Sequence, residues 1–225
     1  YDANHAEPAE LNGARLAVAY CVKGLHVGIT GADKLRTPER DACFLEGGLR
    51  QWMESGAPRV KKRPDLGVTG ESISRWVTRA RPKIDRVACP WLIRRFIDRR
   101  AEFFYVPTNE VFAFAKANNA IAYDIPGAPI EHAGPLCSFD NLLRAFELTS
   151  PALERVAAIV RGADTDALHL APQSAGLLAV SLGFSKNFSD DHAMLAAMMP
   201  VYDALYRWVL DAADATDEKH NWTPA

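Results

Sequence analysis

Apolar and polar residues recur with two different periods along this chain, and the change of period separates short strands from helices. Near the N-terminus, apolar runs at 15–20 and 41–45 predict buried strands, and each is followed by a segment with helical spacing. Gly56 and Pro58 end the second of these helices. Strand, helix, strand, helix is the order of an α/β unit with a parallel sheet.

Beyond residue 74 the pattern predicts a second unit in which helices predominate. Residues 76–78, 102–106 and 120–125 are predicted strands, whereas helical spacing prevails from 138 to 210. The stretch at 172–182 is apolar nearly all round, which is typical of a central buried helix. We therefore predict an α+β unit, a small sheet covered by a helical bundle.

Composition shifts set the expected boundaries between these units. We assign residues 1–62 to the first unit, 63–73 to a linker, 74–215 to the second unit and 216–225 to a frayed tail. The linker is basic and contains Pro64 and Gly67, which favour turns over regular structure. The fold class is thus α/β plus α+β.

The cysteines and the apolar segments indicate the compartment. No apolar run approaches the ~20 residues of a membrane span, and no positive region precedes an apolar run at the N-terminus as in a signal peptide. The four cysteines, at positions 21, 43, 89 and 137, are far apart and form no CxxC pair. This usage is typical of a reduced, cytoplasmic protein. The oligomeric state does not follow from the sequence.

Positive charge is concentrated between residues 75 and 100, where nine Lys or Arg residues face two Asp in a chain of net charge −2. A local excess of this kind draws anions, and we expect Arg94 and Arg95 to bind a small oxyanion. Pro90 suits the first turn of a helix, which would put Cys89 at an N-cap and make its thiol ionise readily. A solvated helix face and a small buried cysteine are the alternatives. A pI near 6.3 and the absence of a helix-turn-helix context argue against nucleic acid as a partner.

Three clusters of carboxylates and imidazoles lie on loops or helix ends. They comprise Glu131 and His132 with Cys137 and Asp140, Asp164 and Asp166 with His169, and Asp190 and Asp191 with His192. Carboxylate and imidazole groups are ligands for divalent metals, and we expect Glu131, His132 and Asp164 to hold such an ion as a cofactor. Helix capping is the alternative for the aspartates, and it explains the pair at 190–191 better.

Several motifs in order resemble one known family. They are WVTRARPKIDRVACPWLIRRFID at 76–98, YDIP at 123–126, EH at 131–132, CSFD at 137–140, IVRGADTDALHLAPQSAGLLA at 159–179 and YDALY at 202–206. They are similar to the chromate-resistance domain found at the C-terminus of chromate-resistance protein B, and the likeness extends over residues 74–210. The resemblance implies a role in chromate or oxidative-stress defence.

In the first unit, Cys21 ends a predicted strand and begins a glycine-containing loop that opens a helix. Backbone N–H groups of such a loop favour a thiolate and a bound oxyanion. CVKGLH at 21–26, FLEGG at 44–48, a tryptophan at 52 and GAP at 56–58 resemble the C-terminal half of a rhodanese domain. The resemblance implies a sulfurtransferase in which Cys21 becomes a persulfide, while Lys23, Gly24 and His26 bind a thiosulfate-like substrate.

Two departures from the rhodanese pattern leave an alternative open. Val22 and His26 occupy positions where active rhodaneses carry arginines. Neither side chain can make the two parallel hydrogen bonds by which a guanidinium group binds thiosulfate. The first half of the fold has no counterpart here, and we expect an upstream part. The alternative is an inactive rhodanese remnant that serves as a docking or regulatory module.

Taken together, these patterns predict a chromate-resistance-related protein in which a rhodanese-like sulfur-transfer module is fused to an oxyanion- and metal-binding domain. The alternative is a non-enzymatic chromate or redox sensor that regulates a partner.

Overall fold

A computed structural model of the protein describes residues 11–211, and the chain divides into two compact units between Arg59 and Val60. The tail predicted at 216–225 and the first ten residues lie outside the described range. Among the described helices, none combines the length and the apolar character that a bilayer span requires.

The first unit contains a two-stranded parallel sheet and two helices. Strand β1 (Leu16–Ala19) pairs with β2 (Asp41–Phe44), and helices α1 (His26–Leu35) and α2 (Gly48–Glu54) follow them. A small core forms between α1 and one face of the sheet, from Ala17, Ala32, Leu35 and Ala42. On the other face Leu16, Val18 and Cys43 are exposed, so the prediction that both strands are buried holds for one face only.

The second unit is built on a three-stranded parallel sheet in the order β4-β3-β5. Strands β3 (Arg75–Arg79) and β4 (Glu102–Val106) pair along their whole length, whereas β5 (Ile121–Ala122) is shorter than the predicted strand at 120–125. The reason is that Asp124 adopts a φ of 52°, which takes the backbone out of an extended conformation.

Helices cover this sheet. They are α3 (Asp85–Leu92), α4 (Val111–Asn118), α5 (Ser138–Ala145), α6 (Pro151–Asp164), α7 (Ser174–Asn187) and α8 (Asp191–Asp211). Single turns of 3₁₀-helix lie at Pro64–Leu66, Thr108–Glu110 and Leu168–Leu170, and a π-helical turn spans Ile93–Ile97. Mixed helices and small parallel sheets confirm the α+β character of the chain.

Helix α7 is not the buried central helix that its composition predicts. Val180 and Leu182 are about two-fifths exposed, and three of the four buried residues of α7 are serines. Ser174 donates a hydrogen bond from its hydroxyl to the carbonyl of Ile159, and a Cβ at Gly162 would come within 2.3 Å of the Ser174 oxygen. Helix α7 therefore contacts α6 closely through small residues, and Val180 and Leu182 stay partly exposed.

Residues 63–73, the predicted linker, fall within the second compact unit. The Lys61 N–H just before them donates to the Phe146 carbonyl, and the Arg63 guanidinium donates to the Ala145 carbonyl at 3.1 Å. This segment is therefore attached to the C-terminal end of α5.

The start of α3 corrects the prediction made from Pro90. The helix begins at Asp85, so Pro90 lies inside it and Cys89 is fully buried. Burial, and then the charge of Asp85, raise the pKa of the Cys89 thiol, so it does not ionise readily. Pro90 has no N–H to offer the Arg86 carbonyl, and the Tyr123 hydroxyl donates to that carbonyl at 3.2 Å instead.

Candidate metal centre

Four polar side chains converge beyond the carboxyl ends of the strands in the second unit. Asp85 is the first residue of α3, Asp124 follows β5, His132 lies in the loop before α5, and Asp164 is the last residue of α6. The carboxyl ends of parallel strands are the usual place for binding sites in sheets of this kind, because the connecting loops meet there.

One imidazole nitrogen lies among three carboxylates. The Nε2 atom of His132 is 3.2 Å from an oxygen of Asp124, 3.2 Å from an oxygen of Asp164 and 3.5 Å from an oxygen of Asp85. A single N–H can make one good hydrogen bond, so this set contains more acceptors than its donor satisfies. In the part of the chain that the structure describes, Asp85, His132 and Asp164 each place one ligand atom within 4.8 Å of the others.

Helix α5 fixes the carboxylate of Asp85. Its two oxygens accept the backbone N–H groups of Ser138 and Phe139 at 2.7 and 3.0 Å, and the residue is 1% exposed. These are the first N–H groups of α5, which have no partner inside the helix, and the positive end of the helix dipole favours a carboxylate there.

Two arginines and a serine hold Asp124. Its carboxylate accepts the Ser138 hydroxyl at 2.9 Å and lies 3.1 Å from the Arg79 guanidinium and 3.3 Å from that of Arg86. Burial, and then the charge of Asp85, raise the pKa of Asp124, while Ser138, His132 and Arg79 oppose that rise.

Crowding of negative charge makes the metal-free centre retain protons. Burial, followed by the charges of Asp85 and Asp124, raises the pKa of Asp164 to about 7. Hydrogen bonding to Asp85, with further contributions from Asp124 and Asp164, raises the pKa of His132 to about 9. A divalent cation would take the place of those protons.

A cavity of about 300 Å³ shares Asp124 and His132 with this cluster, and Arg79, Ile125, Pro126 and Glu131 complete its lining. The carboxylate of Glu131 accepts the Gly127 N–H at 2.7 Å, and its carbonyl accepts the side chain of Asn141. Glu131 therefore shapes the loop that carries His132 and does not belong to the cluster.

The structure thus brings together two of the three predicted metal ligands, His132 and Asp164. Asp85 takes the third place, and Asp124 adjoins it. Sequence reasoning missed Asp85 because it is one of only two acids in a basic stretch. Asp124 could have been identified, since it is an acidic residue near the end of the strand predicted at 120–125. Of the other predicted clusters, Asp190 is an N-cap whose carboxylate accepts the Ala193 N–H at 2.7 Å.

The guanidinium groups of Arg94 and Arg95 already have protein partners. Arg95 makes two hydrogen bonds with the Asp203 carboxylate, at 2.8 and 2.7 Å. Arg94 donates to the Ala101 carbonyl and lies over the ring of Phe103, 5.0 Å from its centroid. Arg79, by contrast, lines the cavity that adjoins the cluster.

In the first unit, backbone N–H groups surround the half-buried Cys21 thiol. The Gly24 N–H lies 3.2 Å from the sulfur. Burial raises the pKa of Cys21, but hydrogen bonds from the backbone at Leu25, Lys23, Gly24 and Gly28 lower it below its usual value. The residues Lys23 and His26 of this loop are exposed.

The backbone conformation and the close packing of that loop require a glycine at position 24. Its φ is 65°, and a Cβ there would come within 2.3 Å of the Gly48 nitrogen. The close approach fixes the loop against the turn before α2, so the N–H groups keep their direction toward the sulfur.

Comparison with known proteins assigns the second unit. The family model described as ChrB, C-terminal domain, matches residues 76–209, which include all four residues of the cluster. Protein ChrB of Cupriavidus metallidurans is 34% identical over 132 residues, or 58% of this chain. The chain spans 39% of the length of that relative. No solved structure matches the chain significantly.

Proposed function

The chain belongs to the chromate-resistance family defined by the ChrB C-terminal domain, and from this we propose that its second unit binds a divalent cation at Asp85, His132 and Asp164, with a small oxyanion in the adjoining cavity. The observation that carries the proposal is the convergence of three carboxylates on one imidazole nitrogen, within 3.5 Å, beside a cavity lined by Arg79.

The donor set fits a divalent metal of intermediate hardness. Carboxylate oxygens together with one imidazole suit Mn²⁺, Fe²⁺ or Zn²⁺, whereas a thiolate-rich site would favour softer ions. The nearby Cys89 and Cys137 thiols donate to carboxylates of Asp85 and Asp140, and burial raises both of their pKa values, so they are not thiolate ligands. Hydrogen bonds from α5 orient Asp85, as the outer partners of metal ligands commonly do.

The charges of the chain's own residues support an anionic ligand. Asp85, Asp124 and Asp164 are balanced in part by Arg79 and Arg86. A bound divalent cation supplies two further positive charges and open coordination positions. With a neutral imidazole the set then carries a net positive charge, which attracts an oxyanion into the cavity beside Arg79.

Metal binding is the direct test. We expect the purified chain to bind one Mn²⁺ in calorimetric titration. His132→Gln and Asp164→Asn should each weaken binding by about 100-fold or more, since loss of even an outer partner of a metal ligand costs about 10–100-fold. Thermal unfolding of the metal-free variants checks that the fold is kept.

Glu131→Gln is the matched control, because Glu131 neighbours His132 and lines the same cavity without joining the cluster. It should bind Mn²⁺ like the parent chain. Weak binding in Glu131→Gln with normal binding in His132→Gln would reject the assignment, and so would a parent chain that binds no divalent metal.

For the first unit we propose a sulfurtransferase activity at Cys21, in a rhodanese-like module. The observation that favours it is the ring of backbone N–H groups that lowers the pKa of this thiol. In such a reaction the thiolate attacks the outer sulfur of thiosulfate, a cysteine persulfide forms, and sulfite leaves with the bonding electron pair.

The rate of alkylation distinguishes a thiol with a lowered pKa from an ordinary one. Cys43 is exposed and Cys21 is half-buried, so access alone favours Cys43. We nevertheless expect iodoacetamide to modify Cys21 faster below pH 8, because the thiolate is the reactive form. Thiosulfate should add one sulfur atom to Cys21, detected by mass spectrometry. Slower labelling of Cys21 together with no added sulfur would contradict the proposal.

A further inference from the structure

The backbone enters the metal centre through an unfavourable conformation at Ile84. This residue is the N-cap of α3, directly before Asp85, and it has a φ of 37° and a ψ of −96°. A residue with a branched Cβ rarely adopts a positive φ, and such a conformation persists only where the surrounding contacts hold it.

A hydroxyl from a distant helix contacts this strained residue. Tyr202 on α8 donates to the Ile84 carbonyl at 2.9 Å, while the N–H groups of Val87 and Ala88 donate to it from within α3. Tyr202 is fully buried and stacks on Trp91 at 6.0 Å. Burial raises the pKa of its phenol, so the hydroxyl keeps its proton and acts as the donor.

The Ile84 carbonyl and the Asp85 N–H are the two ends of one planar peptide group. The Asp85 N–H points at an oxygen of Asp164, 3.4 Å away, and the other oxygen of Asp164 faces His132 at 3.2 Å. A rotation of this peptide plane would therefore misdirect the Asp85 side chain and release Asp164 together.

We propose that Tyr202 is a positioning residue of the metal centre. Its hydroxyl holds the peptide between Ile84 and Asp85 in the one orientation that turns both Asp85 and Asp164 toward His132. The metal part of this inference rests on the cation site proposed above, whereas the orientation of the peptide can be measured in the metal-free protein.

Tyr202→Phe removes the hydroxyl and keeps the ring that packs on Trp91. In the metal-free variant we expect hydrogen exchange about tenfold faster at the amides of Asp85, Ser138 and Phe139, measured by NMR. Affinity for Mn²⁺ should fall by about tenfold, as for other outer partners of metal ligands. Tyr206→Phe is the matched control: its ring also packs on Trp91 from α8, and it should change neither quantity.

The outcomes are distinct. Unchanged amide exchange in Tyr202→Phe overturns the inference whether or not metal binds, and faster exchange with unchanged Mn²⁺ affinity also overturns it. An equal effect in Tyr206→Phe would show a general loosening of α8 and reject a specific role. If the parent chain binds no Mn²⁺ while exchange at Asp85 quickens in Tyr202→Phe, the proposed cation site fails and the positioning of the peptide stands.

Discussion

Replacing Asp124 with alanine is expected to destabilise the second unit by about 3–5 kcal/mol, the range for removing one partner of a buried ion pair. Asp124 is 5% exposed and faces two guanidinium groups, those of Arg79 and Arg86. Burial, and then the charge of Arg79, already lower the pKa of Arg86. Without the carboxylate, both cations would lose their direct partner and remain close together, with Asp164 as a remaining negative charge near Arg86.

Urea unfolding of the metal-free chain measures this loss. Asp65→Ala is the control, because its carboxylate forms an ion pair with Arg63 at the surface and should cost no more than about 1 kcal/mol. Asp124→Asn retains an oxygen that accepts the Ser138 hydroxyl, and it should fall between the two. A cost for Asp124→Ala no greater than that for Asp65→Ala would mean that the arginines do not depend on Asp124.

Affinity for Mn²⁺ is expected to rise with pH, by about tenfold per unit between pH 7 and 9 and by up to about 100-fold per unit below pH 7. A cation competes with protons for its ligands. His132, whose pKa is raised to about 9, must release one proton to bind metal throughout that range. Below pH 7 Asp164, whose pKa is raised to about 7, must release a second.

Stability of the metal-free protein should change in the opposite direction. The pKa of His132 lies above its value of 6.5 in an unfolded chain, so its contribution is complete below pH 6.5 and disappears as the pH rises through 9. The pKa of Asp164 is also raised, and stability decreases between pH 3.8 and 7, because the unfolded chain loses this proton near pH 3.8 whereas the buried carboxyl keeps it until about pH 7.

Calorimetric titration at pH 6, 7 and 8, with thermal unfolding at the same values, tests both slopes. Metal-free His132→Gln should lose the part of the stability change that lies between pH 6.5 and 9. An Mn²⁺ affinity that does not vary with pH would show that His132 and Asp164 are not ligands.

The sequence predicted correctly those elements whose bounds are set by residues close together in the chain. The apolar run at 102–106 gave the bounds of β4 correctly, because the run and the proline that follows it lie within one short stretch of chain. The start of α3 is different. It depends on Ile84, whose conformation is supported by a hydroxyl 118 residues further along the chain.

In the site, too, contacts between residues far apart in the chain could not be predicted from the sequence. The imidazole and carboxylate types at His132 and Asp164 marked both as candidates, and the structure brings them together. Glu131 was predicted as the third ligand because it is next to His132 in the sequence. In the structure its carboxylate accepts the Gly127 N–H and lies outside the cluster. The positive charge at Arg95 was visible in the sequence, whereas Asp203, its partner 108 residues away, was not.

The proline inside α3 has a consequence for the order in which the protein folds. The Arg86 carbonyl that Pro90 leaves without a partner is satisfied by the Tyr123 hydroxyl, from the segment that follows β5. The carboxylate at the start of α3 is satisfied by α5, more than 50 residues away. Helix α3 thus depends in part on contacts that are distant along the chain, and such contacts slow folding. We expect α3 to become helical together with the sheet and α5 in the rate-limiting step.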